Sequence, residues 1–83
     1  MTRKEQIEAK LHESFTCSLL DIEDQSAQHH GHGGYDAQGS HFKITLRAPE
    51  LEGLSRIARH RSVFAALGKD LTTEIHSISL AFP

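Results

Sequence analysis

Seven histidines in 83 residues are the most conspicuous chemistry in this sequence. Three stand close together, His29, His30 and His32, among glycines, and a fourth, His76, leads into the alternating run Ile78, Leu80, Phe82. A neutral imidazole is a competent ligand for first-row transition metals such as zinc and iron. A second set of side chains is cationic. Arg59-His60-Arg61, with Arg56 and Lys69, lies in a segment, residues 54–69, that carries four Lys or Arg and no acid. Arginine forks suit carboxylates and phosphates. Cys17 is the one cysteine, which excludes an internal disulfide and any Cys-x-x-Cys chemistry and suits a reducing compartment.

Each of these groups also has a plain structural reading. His76 is in phase with Ile78, Leu80 and Phe82, so by itself it reads as a rim histidine with its Cβ toward the core side. His29-x-x-His32 supplies two donors, short of the four a structural zinc takes, and a glycine-rich loop tolerates histidines without using them. The basic segment reads as a solvated helix face, with Arg61 paired to Glu50, Glu52 or Glu74 in surface contacts that contribute little. Cys17 reads as a small half-buried side chain rather than a reactive thiol. Gly31-His32-Gly33-Gly34 spells the Gly-x-x-Gly of KH domains, but it joins two strands where that motif joins two helices. No nucleophile elbow, P-loop or dinucleotide fingerprint occurs, so the chain is not expected to be an enzyme.

The elements that must position these residues follow from periodicity. Thr2 with Glu5 forms a capping box, and Ile7, Leu11 and Phe15 recur every fourth residue, so a first helix is predicted over about 3–14. Leu20 and Ile22 alternate with Asp21 and Glu23 as a half-buried strand. Residues 25–40 hold four glycines and no aliphatic residue larger than alanine, the composition of a long loop. His41–Arg47 alternates again, with Phe42, Ile44 and Leu46 on one face and His41, Lys43, Thr45 and Arg47 on the other; Ala48-Pro49 ends it. It is expected to run antiparallel to the first strand. After Gly53, Leu54, Ile57, Phe64 and Leu67 mark the stripe of the main helix. Gly68 ends or kinks it before a last turn at 70–72, and Ile78, Leu80 and Phe82 form a third strand.

One domain, residues 1–83, is expected, with room for a single thin core. The net charge of −2 argues against holding nucleic acid by bulk electrostatics, although residues 1–28 carry −3 and residues 54–69 carry +4. No apolar run approaches the roughly 20 residues that span a bilayer, and the N-terminus lacks a signal-peptide core, so the cytoplasm is the expected location.

These residues resemble the BolA family over most of the chain. The resemblance rests on Ser40-His41-Phe42, Leu51-x-Gly53, Arg59-His60-Arg61-x-Val63-Phe64, Leu67 and Ile75-His76, in order and at matching spacing. Leu51 departs from the phenylalanine usual there and keeps an apolar anchor. The resemblance implies an α+β fold similar to the type II KH arrangement, helix–strand–strand–helix, a short helix, then strand, with a three-stranded sheet. It also implies pairing with a monothiol glutaredoxin around a shared [2Fe–2S] cluster, with glutathione, and no cluster in the isolated protein. His76 would then be one ligand. The second would come from the loop between the first two strands, where this chain resembles the histidine subtype: His32 is favoured, with His29 and His30 as alternatives. Bacterial members of the family are linked to transcriptional control, stress response and morphology, which makes weak DNA binding the rival expectation; Arg56, Arg59, His60, Arg61 and Lys69 are the candidate contacts to a partner protein or to nucleic acid. The helix carrying those residues and the strand opening at His76 are expected to flank one partner-facing surface, with residues 29–34 closing over it. Alone, the chain is expected to be a monomer or a weak homodimer.

Overall fold

The computed structural model describes residues 2–25 and 41–83. Its first helix, α1 (Arg3–Ser14), opens with the expected capping box. The Glu5 amide donates to Thr2 Oγ1 at 3.1 Å, and the Thr2 amide donates to the Glu5 carboxylate at 2.8 Å, so two otherwise orphaned donors are satisfied. Ile7 and Leu11, one turn apart, are fully buried on its inner face. Phe15 then turns extended and its amide closes the helix on the Leu11 carbonyl at 2.9 Å.

Two of the strands are β1 (Leu19–Asp24) and β2 (His41–Arg47). They pair antiparallel as expected, with Leu20 opposite Leu46 and Ile22 opposite Ile44. Phe42, Ile44 and Leu46 are buried while Lys43 and Arg47 are exposed, which is the period of two seen in the sequence. The third strand, β3 (Ser77–Ala81), pairs parallel to β2, with Phe42 opposite Ile78 and Ile44 opposite Leu80. The sheet order is therefore β1-β2-β3, with β2 central. A parallel neighbour needs a crossover, and the chain between β2 and β3 supplies it as helices whose apolar sides close the core.

That crossover starts with a 3-10 turn, Pro49–Leu51, which the sequence pattern did not reveal. Proline suits the first position of such a turn, and the turn drives Leu51 into the core at 3% exposure. Glu50 beside it accepts from the Thr16 amide at 3.0 Å and the Thr16 hydroxyl at 2.9 Å, fastening the turn to the α1–β1 connection.

The main helix, α2 (Arg56–Leu67), is capped by Ser55, whose hydroxyl accepts from the Ala58 amide at 3.1 Å. Val63 and Leu67 are its buried residues. Leu54 and Ile57, expected in that stripe, are 38% and 63% exposed. Leu54 precedes the cap and is not helical. Ile57 is seven residues before Phe64, about 700° of helix rotation, so it lines up with that half-buried flank and not with Val63 and Leu67. Gly68, at φ +87, ends α2, and α3 (Lys69–Glu74) follows, with Leu71 buried. The buried Arg3 lies 3.4 Å from the Glu74 carboxylate and ties the start of α1 to the end of α3.

Candidate imidazole site and basic helix

His76 stands on the bend between α3 and β3, one residue before the strand that the alternation made it open. Its neighbours fix it from both sides. Ile75 is buried at 6% exposure, and Ser77 is the β-pairing partner of His41. The His76 side chain is exposed, so its Cβ does not turn to the core as the strand phase implied; the bend interrupts that phase. The site gains a histidine the sequence reading had set on the solvent face of β2. His41 is 8% exposed, and its ring centroid lies 4.9 Å from that of His76, tilted by 52°. The signal that could have found it is the parallel pairing of β2 with β3, because His41 opens β2 opposite Ser77 and His76 immediately precedes Ser77.

The loop histidines His29, His30 and His32 lie outside the described residues. The two ends of their segment are described: the Gln25 amide donates to the His41 carbonyl at 2.8 Å. Residues 26–40 therefore leave from, and return to, the end of the sheet that holds the imidazole pair. Among the described residues, no group of three or more His, Cys, Asp and Glu is placed to hold a metal ion. An exposed imidazole backed by a second one is a fitting but partial donor set, which suits a metal group whose other ligands come from elsewhere.

The basic residues divide. Arg59 is structural: its Nε donates to the Leu54 carbonyl at 3.1 Å and its guanidinium lies 5.8 Å from the centre of the Phe82 ring. It lines a small cleft with Arg47, Leu51 and Phe82. Phe82 is six residues beyond His76, about 20 Å of strand at 3.3 Å per residue, so Arg59 and His76 mark opposite ends of β3 and not one surface. His60 is exposed and stacks on Phe64, centroids 4.4 Å apart and planes within 15°. Arg56 and Arg61 are exposed, and among the described residues Arg61 pairs with none of the three acids expected for it. Glu74 faces Arg3, and Glu50 faces Thr16. Lys69 opens α3 on the lip of a groove of about 500 Å³ that it shares with Lys10, Gln6 and Glu74.

Near the 3-10 turn, Glu50 and Cys17 carry shifted ionisation. The amides of Glu50 itself and of Thr16, with the Thr16 hydroxyl, hold the Glu50 carboxyl below its ordinary value. Burial, with the nearby Glu50 charge, pushes the Cys17 thiol up. Its sulfur lies 3.7 Å from the Phe15 carbonyl and 3.8 Å from that of Leu11, the surroundings of a packed side chain.

Comparisons with known proteins agree with this architecture. Residues 11–82 match the family described as BolA-like protein. An uncharacterized protein in the cobS 5' region of a Sinorhizobium species is 35% identical over 82 residues, covering 96% of this chain and 88% of that one. The DNA-binding transcriptional regulator BolA of Escherichia coli (strain K12) is 32% identical over 80 residues, covering 96% and 73%. Among solved structures, BolA1 from Arabidopsis thaliana superposes with a TM-score of 0.83 at 30% identity, over 99% of this chain and 90% of that one. The motif series, the small α+β fold with its three-stranded sheet and the family match converge, and the chain belongs to the BolA-like protein family.

Proposed function

We propose that this chain is a BolA-like adaptor that pairs with a monothiol glutaredoxin and co-ligates a [2Fe–2S] cluster, serving iron–sulfur trafficking or iron and redox signalling and not catalysis. The ligands assigned are His76 and one loop histidine, His32 before His29 or His30; the glutaredoxin and its glutathione supply the rest. The observation that carries the reading is an exposed His76 held beside His41 at the sheet end where residues 26–40 leave and return. Histidine ligation in place of thiolate raises a cluster's potential, which suits a cluster that is to be passed on. The element order also fits the comparison with the type II KH arrangement. The test is anaerobic reconstitution of the mixed complex, followed by absorbance and circular dichroism. His76→Ala and His32→Ala should each alter the cluster's spectrum and shorten its lifetime. Unchanged spectra and lifetimes in both variants would refute the ligand assignment.

DNA binding is the second reading, favoured by the name of the Escherichia coli relative and by the exposed Arg56, Arg61 and Lys69. Arg59, engaged with Leu54 and Phe82, contributes least to it. If Arg56, Arg61 and Lys69 make the phosphate contacts, the slope of log K against log salt should be about −2.7, from −0.9 per phosphate on B-DNA. Fluorescence anisotropy on duplex DNA across a salt series measures it, and binding indifferent to salt and to Arg61→Ala would remove this mechanism.

A further inference from the structure

The two edges of the sheet are built differently. β1 sets Asp21, Glu23 and Asp24, all exposed, along its six residues, so a second β1 laid beside it would bring carboxylates together. β3, the other edge, reads Ser77-Ile78-Ser79-Leu80-Ala81, with no charge, no proline and no glycine. Among the described residues, its ladder runs to β2 alone, and no other backbone hydrogen bond involves residues 77–81. Charges and prolines are what ordinarily keep an edge strand from pairing. β3 has neither.

Its sequence is also self-complementary. Laid antiparallel against a copy of itself about Ser79, β3 sets Ile78 opposite Leu80 and Leu80 opposite Ile78 on the helix-covered face. On the open face, Ser79 meets Ser79, and Ser77 meets Ala81. Ile78 and Leu80 are each only half-buried against the core in one copy, so the pairing covers apolar surface that the chain alone leaves partly wet. No like charges meet at any of the five positions. We propose that β3 is a homodimerisation edge, through which two copies join around a two-fold axis at Ser79 into one six-stranded sheet. The proposal is independent of the iron–sulfur reading.

A five-residue strand pair is smaller than the roughly 1,200 Å² of a stable interface, so association is weak, at the level of high-micromolar concentrations. Sedimentation equilibrium of the full chain, run from about 10 μM to 1 mM to bracket that range, should show a reversible monomer–dimer equilibrium. Ser79 is exposed, so Ser79→Lys and Ser79→Glu should both fold, as circular dichroism would verify. Each variant alone should be monomeric, because like charges meet at the axis. An equal mixture of the two should associate again. A wild type that stays monomeric at the highest concentration overturns the proposal, including the case in which this edge serves an extended segment of some other protein. A dimer that Ser79→Lys leaves intact, or variants that fail to restore association on mixing, would overturn it equally.

Discussion

Two aliphatic residues of α2, Ile57 and Leu67, should respond very unequally to truncation although the sequence pattern treats them alike. Ile57 is 63% exposed, so 100 − 63 = 37% of its surface is removed from water. Full burial of such a side chain stabilises by about 1.5–3 kcal/mol, and 37% of that is about 0.6–1.1 kcal/mol. Alanine is the better helix former by a few tenths of a kcal/mol, which offsets part of the loss. Ile57→Ala should therefore cost well under about 1 kcal/mol. Leu67 is 1% exposed within the core cluster, and Leu67→Ala there should cost about 2–5 kcal/mol, transfer plus residual cavity. With a urea slope of about 1 kcal/mol/M for so small a domain, the unfolding midpoint should fall by about 2 M or more for Leu67→Ala and by less than about 1 M for Ile57→Ala. Equal shifts would refute the rotation assigned to α2. They would also withdraw Ile57 from the surface open to a partner.

Three further outcomes are expected. Arg56 is the first residue of α2, in a first turn with no acid, where the helix dipole disfavours a cation; Arg56→Glu should raise thermal stability by about 0.3–1 kcal/mol while weakening any anionic partner. The Glu50 carboxyl is lowered from its ordinary 4.5 when folded, so its contribution is present above that value and is lost as pH falls through the folded value. Glu50→Gln should accordingly flatten the acid limb of a plot of urea midpoint against pH, and an unaltered limb would show that the Thr16 contacts do not couple to folding. Cys17, with its thiol raised by burial and by Glu50, should be alkylated more slowly at neutral pH than a free thiol, reaching the free rate only in denaturant.

Local rules made much of this fold legible. The capping box, the two alternating strands and the glycine stop at Gly68 each depend on residues within a turn or two of one another, and each appears where the pattern set it. What escaped the sequence depends on contacts between distant segments. Pro49–Leu51 forms a turn because Glu50 has Thr16 to hold and Leu51 has a core to enter. His41 shares the phase of Lys43 and Arg47 yet is buried, and its neighbour in space is His76. Arg59 looked free because its partners, the Leu54 carbonyl and the Phe82 ring, include a residue from the far end of the chain. Recognition of the motif series selected His76 as a site residue; periodicity alone could not, since the bend at His76 breaks the strand phase used to orient it.

The position of His76 bears on how a shared metal group could be both held and released. Its backbone is fixed by the buried Ile75 on one side and the β2–β3 ladder on the other, so the imidazole stands on the rigid part of the fold. The His41 ring stands beside it, centroids 4.9 Å apart. Under the proposed cluster binding, one fixed nitrogen would confer direction without much affinity, because no group of three or more candidate ligands occurs among the described residues. Affinity would then come from the remaining proposed ligands, a loop histidine and those of a second protein. On this reading the complex, not the domain, sets cluster affinity, and exchanging the partner should change retention more than any substitution in the core.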